Sequence, residues 1–207
     1  MDREYILNLL GAMKEIMAEN REYLIELDSV VGDGDLGLTM SDGFAAGFEA
    51  AKATDETDIG KLLYVAGKSM ASAVPSTMGT LMASGFMNAG KALKGKTEIS
   101  LSDLYDFFNA YMEGVSLRGK AKVGEKTFLD GMDPAVQSLG DSVKKGLPLQ
   151  KAAQNAYDSA KAGFEKTNTM IAVHGRAATR GEASLTLLDP GAAVAMLMME
   201  AFLKSIR

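Results

Sequence analysis

The chain has no cysteine and no tryptophan, a single histidine and only four prolines in 207 residues. Without cysteine there is no disulfide, no thiolate nucleophile and no sulfur-ligated metal, which fits a cytoplasmic protein. Four prolines and no Gly/Ser-rich stretch give no reason to cut the sequence, so residues 1–207 are expected to form one domain. No apolar run approaches the roughly 20 residues of a membrane span. Met1-Asp2-Arg3-Glu4 lacks the basic start and apolar core of a signal peptide. Positive charge is also short, with 22 Lys and Arg against 27 Asp and Glu and a net charge of -5. That balance argues against a nucleic-acid surface. An acidic protein that binds an anion needs a metal or a local basic spot.

Period-two alternation is absent too, and what replaces it is helical spacing. Tyr5, Ile6, Leu9, Leu10, Met13, Ile16 and Met17 recur at three- and four-residue intervals, as do Leu101, Leu104, Phe108, Tyr111, Met112 and Val115. The same pattern runs through Val136, Leu139 and Val143, through Ala153, Tyr157, Ala160 and Phe164, and through Val194, Leu197, Met198, Ala201 and Phe202. Further helices are expected near 37–53, 58–74 and 78–94. Ser100 with Asp103 reads as a capping box, and Asp133-Pro134 as an N-cap followed by proline at the first helical position. The fold class is therefore all-α, an antiparallel eight-helix barrel or bundle. The 14 methionines lie mostly on the apolar stripes, where they fill a core.

The most informative segment is Asp28-Ser29-Val30-Val31-Gly32-Asp33-Gly34-Asp35. A continuous helix would turn Asp33 roughly 140° away from Asp28 at about 100° per residue. A glycine-punctuated loop can instead aim all three carboxylates at one point, where their repulsion demands a cation. Oxygen-only ligands favour magnesium or calcium. An EF-hand is disfavoured, because Phe44 stands where its twelfth-position glutamate belongs and Gly37 where an oxygen donor belongs. An Asp-x-Asp phosphatase nucleophile is disfavoured by Gly37 and by the short apolar run before Asp33. The plain alternative is a solvated Asp/Gly turn that caps the next helix.

Three more polar clusters interrupt the helices. Pro75-Ser76-Thr77-Met78-Gly79-Thr80 places small residues at a helix start, where free N–H groups can hold phosphate or simply be capped. It is not a Walker loop, because no Gly-Lys-Ser/Thr closes it. Arg118 to Asp130 is a basic, glycine-punctuated connection, and His174 to Gly191 is a loop long enough to be functional.

In order and separation these clusters resemble the nucleotide-binding L subunit of dihydroxyacetone kinases, equivalent to the C-terminal domain of the single-chain enzymes. The resemblance covers nearly the whole chain. It rests on the Asp-x4-Asp-x-Asp loop, the turn near Ser76, Arg118-Gly119-Lys120-Ala121 with Gly124-Glu125-Lys126-Thr127, Gly175-Arg176-Ala177 with Gly181-Glu182, and Asp189-Pro190-Gly191. It implies a barrel of eight antiparallel helices that holds ADP or ATP at one end through two magnesium ions, with Asp28, Asp33 and Asp35 as metal ligands. Leu36, Gly37, Leu38, Thr39, Thr77 and Met78 match positions that line the phosphates. Gly119 and Phe128 match positions around base and ribose, and Asp189, Pro190 and Gly191 the last nucleotide contact. Arg176 matches the catalytic arginine of a mobile lid. Leu36 replaces a common histidine and Met78 a usual serine, so one imidazole and one phosphate-binding hydroxyl are missing.

The implied function is phosphoryl transfer, with ADP recharged by a phosphohistidine-carrying phosphotransferase subunit and the phosphoryl group passed to dihydroxyacetone on a second partner subunit. Neither nucleic acid nor membrane is an expected partner, and a homodimer is left open. His174 is read as a lid surface residue rather than a phospho-carrier. The alternatives are a kinase that exchanges free ATP or serves another short ketose, and a non-catalytic nucleotide-dependent regulator.

Overall fold

A computed structural model describes residues 1–206. Among them are nine α-helices: α1 (Arg3–Glu19), α2 (Arg21–Val31), α3 (Leu36–Lys52), α4 (Ile59–Ala73), α5 (Thr77–Ala92), α6 (Leu101–Gly119), α7 (Phe128–Lys144), α8 (Leu149–Lys166) and α9 (Pro190–Lys204). Short 3₁₀ segments cover Thr167–Thr169 and Ala177–Ser184. The fold is all-α, and no described residue lies in a strand.

Local chemistry starts most of these helices. Asp2, Asp58, Ser76 and Asp189 each accept a hydrogen bond from an N–H in the first turn, satisfying groups that the helix itself leaves bare. The Ser100/Asp103 capping box forms as its spacing predicts. The Asp133-Pro134 reading does not hold. α7 begins six residues earlier, with a capping box of Thr127 and Asp130, and Pro134 lies inside it. Proline costs a helix the N–H bond to the carbonyl four residues back, here Asp130 O. That carbonyl instead lies against Gly163 of α8, where any side chain would collide with it.

Eight helices form a ring. Each of α3 to α9 packs on the next in sequence, α9 packs back on α1, and α1 on α3. α2 rides outside, against α3 and α9, and buries only Leu24 and Val31. It is a ninth helix that the periodicity did not show. Within the ring, side chains from all walls bury fully, among them Ile6, Leu9, Leu62, Leu104, Val194 and Phe202. Eight methionines are buried, including Met13, Met40, Met70 and Met198, as core filling requires. Aromatic rings interlock through this interior: Phe44 on Phe86 at 5.8 Å, Phe86 on Tyr111 at 5.0 Å, and Phe107 on Phe108 at 4.6 Å. Phe128, first residue of α7, sits 6.1 Å from Tyr111 and continues the aromatic contacts to one end of the ring.

Antiparallel succession then has a functional consequence. The starts of α3, α5, α7 and α9 and the ends of α2 and α6 all border one cavity. Four helix N-termini, each carrying a partial positive charge, thus gather at the same end of the barrel.

Candidate nucleotide site

The cavity at that end holds about 610 Å³, within the roughly 300–1,000 Å³ of small-molecule sites. One wall is acidic. Asp28 projects from the last turn of α2, Asp33 from the following loop, and Asp35 is the residue before α3. Gly34 takes φ +75°, a left-handed conformation natural to glycine, and lets the chain reverse between Asp33 and Asp35. One carboxylate oxygen from each aspartate lies within 4.8 Å of the other two. Burial pushes the Asp28 carboxyl above its ordinary pKa, Asp33 and Asp35 add to the rise, and the N–H groups of Leu36 and Gly34 oppose it. Leu36 N donates to Asp28 Oδ2 at 3.4 Å. Three crowded carboxylates with no nitrogen or sulfur donor among them suit a hard divalent cation such as magnesium.

The facing walls are built from helix starts. Pro75 to Met78 lead into α5, where Ser76 Oγ accepts from Gly79 N at 3.0 Å and Thr77 stays exposed. Lys126 to Leu129 lead into α7 and Asp189 to Gly191 into α9. Free first-turn N–H groups at such starts are ready anion donors. Leu81, Val115, Gly119, Ala121, Phe128 and Leu129 make a less polar part of the lining, suited to a flat aromatic ring.

Twelve of the residues singled out in the sequence therefore border one cavity: Asp28, Asp33, Asp35, Leu36, Thr77, Met78, Gly119, Phe128, Arg176, Asp189, Pro190 and Gly191. Gly37, Leu38 and Thr39 stand outside the lining. Gly37 is buried against α2, where a side chain would run into the carbonyl of Arg21, and Leu38 is 40% exposed. The Asp189 carboxylate is committed to its own helix: Oδ2 accepts from Ala192 N at 2.7 Å, and its backbone N–H donates to Thr167 Oγ1 at 3.0 Å. Burial, opposed by that cap and reinforced by Asp130, raises its pKa to about 7.

The connection from α8 to α9 contains the segment that the resemblance reads as a lid, and its residues His174 to Ala177 border the cavity. Arg176 Nη2 meets Asp33 Oδ2 at 2.5 Å, so the lid arginine reaches the acidic wall. His174 Nε2 pairs with Glu125 Oε2 at 2.6 Å on the opposite side. Lys126 and Thr127, quoted in the sequence only as part of a motif and given no role there, are both in the lining. The Thr127-x-x-Asp130 spacing was the available signal.

Known proteins place this arrangement in a family. A profile of the DAK2 domain matches residues 30–204. The ADP-binding subunit DhaL of the PEP-dependent dihydroxyacetone kinase of Escherichia coli (strain K12) is 36% identical over 200 residues, covering 97% of this chain and 95% of that one. The ADP-binding subunit DhaL of the PTS-dependent dihydroxyacetone kinase of Lactococcus lactis subsp. lactis (strain IL1403) is 31% identical, covering 95% of this chain and 94% of that one. The fold is similar to the crystal structure of the dihydroxyacetone kinase from C. freundii in complex with AMP-PNP and Mg2+, with a TM-score of 0.73 at 22% identity. That match takes in 96% of this chain but only 33% of the solved one. By profile and relatives, the chain belongs to the DAK2 domain family.

Proposed function

We propose that the protein is the nucleotide-binding subunit of a phosphoenolpyruvate-dependent dihydroxyacetone kinase, a single domain that holds ADP or ATP with magnesium. The observation that carries this reading is the cavity itself, acidic on one wall and lined by helix N-termini on the others. A polyphosphate bridged by a cation matches both walls at once. Asp28, Asp33 and Asp35 would hold magnesium, which when bound offsets the charge of the phosphates. The Thr77–Met78 turn offers backbone N–H groups to phosphate oxygens, and the less polar lining receives the base.

The reaction moves the γ-phosphoryl group from ATP to a hydroxyl of dihydroxyacetone, breaking the β,γ-bridging P–O bond and forming a new P–O bond to the ketose. Positioning and charge stabilisation dominate such transfers. Arg176, on the lid, supplies a planar donor that spreads charge on the moving group. The relatives' names, ADP-binding subunits of PEP- and PTS-dependent kinases, support a ketose held on a partner subunit and an ADP recharged by a phosphohistidine protein. We place this activity in the cytoplasm; among the described residues no helix is long and apolar enough to cross a membrane.

The test is reconstitution. The protein is combined with a dihydroxyacetone-binding subunit, a phosphohistidine donor system, phosphoenolpyruvate and magnesium, and dihydroxyacetone phosphate is measured. Product that depends on all components is expected. Product from free ATP without the donor system would move the reading to an exchanging kinase, and no product with any ketose or donor would overturn it.

A further inference from the structure

Lys126 is 2% exposed and adopts φ +61°, a left-handed conformation unfavourable for any residue with a side chain. Its ammonium is buried away from solvent with three hydrogens to satisfy. Each finds a backbone carbonyl: Met170 O at 3.1 Å, Ser184 O at 2.5 Å and Leu187 O at 2.5 Å. Met170 begins the outgoing limb of the lid, whereas Ser184 and Leu187 belong to the returning limb. One side chain from the α6–α7 connection therefore ties together both limbs of the segment that carries Arg176.

Neighbouring bonds reinforce the knot. Val173 N donates to Glu125 O at 3.3 Å, and His174 pairs with the Glu125 carboxylate. Ser184 Oγ accepts from Ala172 N at 3.0 Å and donates to Gly181 O at 2.6 Å, so the limbs also bond to each other. Asp130 holds the strained connection itself, with Oδ1 accepting from Gly124 N at 2.6 Å and Oδ2 from Thr127 N at 2.7 Å. Burial of a lysine ammonium is costly unless its donors are met. A neutral residue of similar volume would fill the space without that cost, but it could not gather three carbonyls from two limbs. The Asp189 carboxylate, whose charge couples to this ammonium, offsets part of the cost of burying it.

We propose that Lys126 is a positioning residue for phosphoryl transfer: its buried ammonium fixes the two lid limbs so that Arg176 is presented over the cavity. The proposal rests on the function given above, yet its lid component can be measured without any turnover. Lys126→Met keeps the length of the side chain and removes all three donors. Limited trypsin digestion of the otherwise folded protein should cut after Arg176 and Arg180 at least about tenfold faster in this variant, because the lid opens locally.

In the reconstituted system, turnover should fall on the order of 10- to 100-fold while ADP affinity changes by less than about threefold, the pattern of a misplaced transition-state group. The double variant Lys126→Met/Arg176→Ala should be no slower than Arg176→Ala alone, since residues acting through one another are not additive. Additive losses, or unchanged cleavage after Arg176, would overturn the proposal and leave Lys126 a purely structural residue. If Lys126→Met does not fold, Lys126→Gln keeps a polar donor but cannot reach all three carbonyls, and the same cleavage and cycle apply. Absence of transfer by the wild-type protein would refute the kinase reading alone, because the digestion result stands independently.

Discussion

Replacing Asp28 with asparagine separates what the acidic wall does for folding from what it does for ligands. The three carboxylates have oxygens within 4.8 Å of one another. At that spacing a like-charge pair costs about 0.9 kcal/mol in a water-like medium and about 3.5 kcal/mol at an effective dielectric of about 20. Asp33 and Asp35 are exposed, so the lower figure applies, and the substitution removes two of the three pairs, about 2 kcal/mol. The ion pair between Arg176 and Asp33 already offsets part of the repulsion, leaving a net gain of about 1 kcal/mol. Asp28 also sits in the last turn of α2, where the helix dipole disfavours an anion.

In chelator, Asp28→Asn should therefore raise Tm by about 2–4 °C for a domain of this size. The pH dependence has a definite sign. The folded-state pKa of Asp28 is raised, so the wild type loses stability as pH rises through its titration, and the advantage of the asparagine should grow over the same range. With magnesium and ADP the order should reverse, because the wild type is stabilised by ligand and the variant much less. Differential scanning fluorimetry with and without EDTA reads both effects. A variant that is less stable in EDTA, yet gains as much from magnesium-ADP as the wild type, would show that Asp28 neither repels its neighbours nor holds the cation.

Asp33→Ala should abolish magnesium-dependent nucleotide binding by calorimetry, since one oxygen donor of the acidic wall is lost. Arg176→Ala should slow reconstituted turnover by about 100-fold or more, with a far smaller change in ADP affinity; equal effects would place the arginine in ground-state binding. Asp189→Asn keeps an oxygen for the α9 cap and removes a buried acid whose pKa is raised to about 7. Because the raised pKa makes the wild type lose stability as pH climbs from about 4 through about 7, the asparagine variant should be the more stable at pH 8, by on the order of 4 kcal/mol, with the gap closing by pH 4. Thr127→Ala removes one half of a capping box and should cost about 1 kcal/mol by denaturant unfolding.

Much of the architecture could be read from apolar spacing, because ring helices bury one stripe and expose another. α2 could not, since it lies outside the ring and leaves Tyr23 38% and Val30 47% exposed. With apolar residues on its open face and only two buried, its periodicity is blurred. α7 was misplaced because Pro134 looks like a start signal. The true start depends on a threonine and an aspartate inside a glycine-rich stretch, and on a proline tolerated only because α8 approaches at Gly163. The acidic wall and Arg176 were legible as residue types in order, and the turn at Gly34 explains how Asp33 escapes helical phase. Gly37, Leu38 and Thr39 read as a continuation of that motif, but a helix turns successive residues to different faces, so only Leu36 borders the cavity. The burial of Lys126 was illegible even though the residue falls in a quoted motif, because a basic residue in a basic connection reads as solvated and nothing in the one-dimensional sequence shows its distant carbonyl partners.

A magnesium-clamped nucleotide in this cavity is what the proposed function requires. The most direct measurement is made on the protein as purified: denature it, identify and quantify the released nucleotide by chromatography, and repeat after exhaustive EDTA dialysis. ADP near one per chain that disappears only with chelator is the predicted result. A protein that carries no nucleotide and binds neither ADP nor ATP in the presence of magnesium would contradict it.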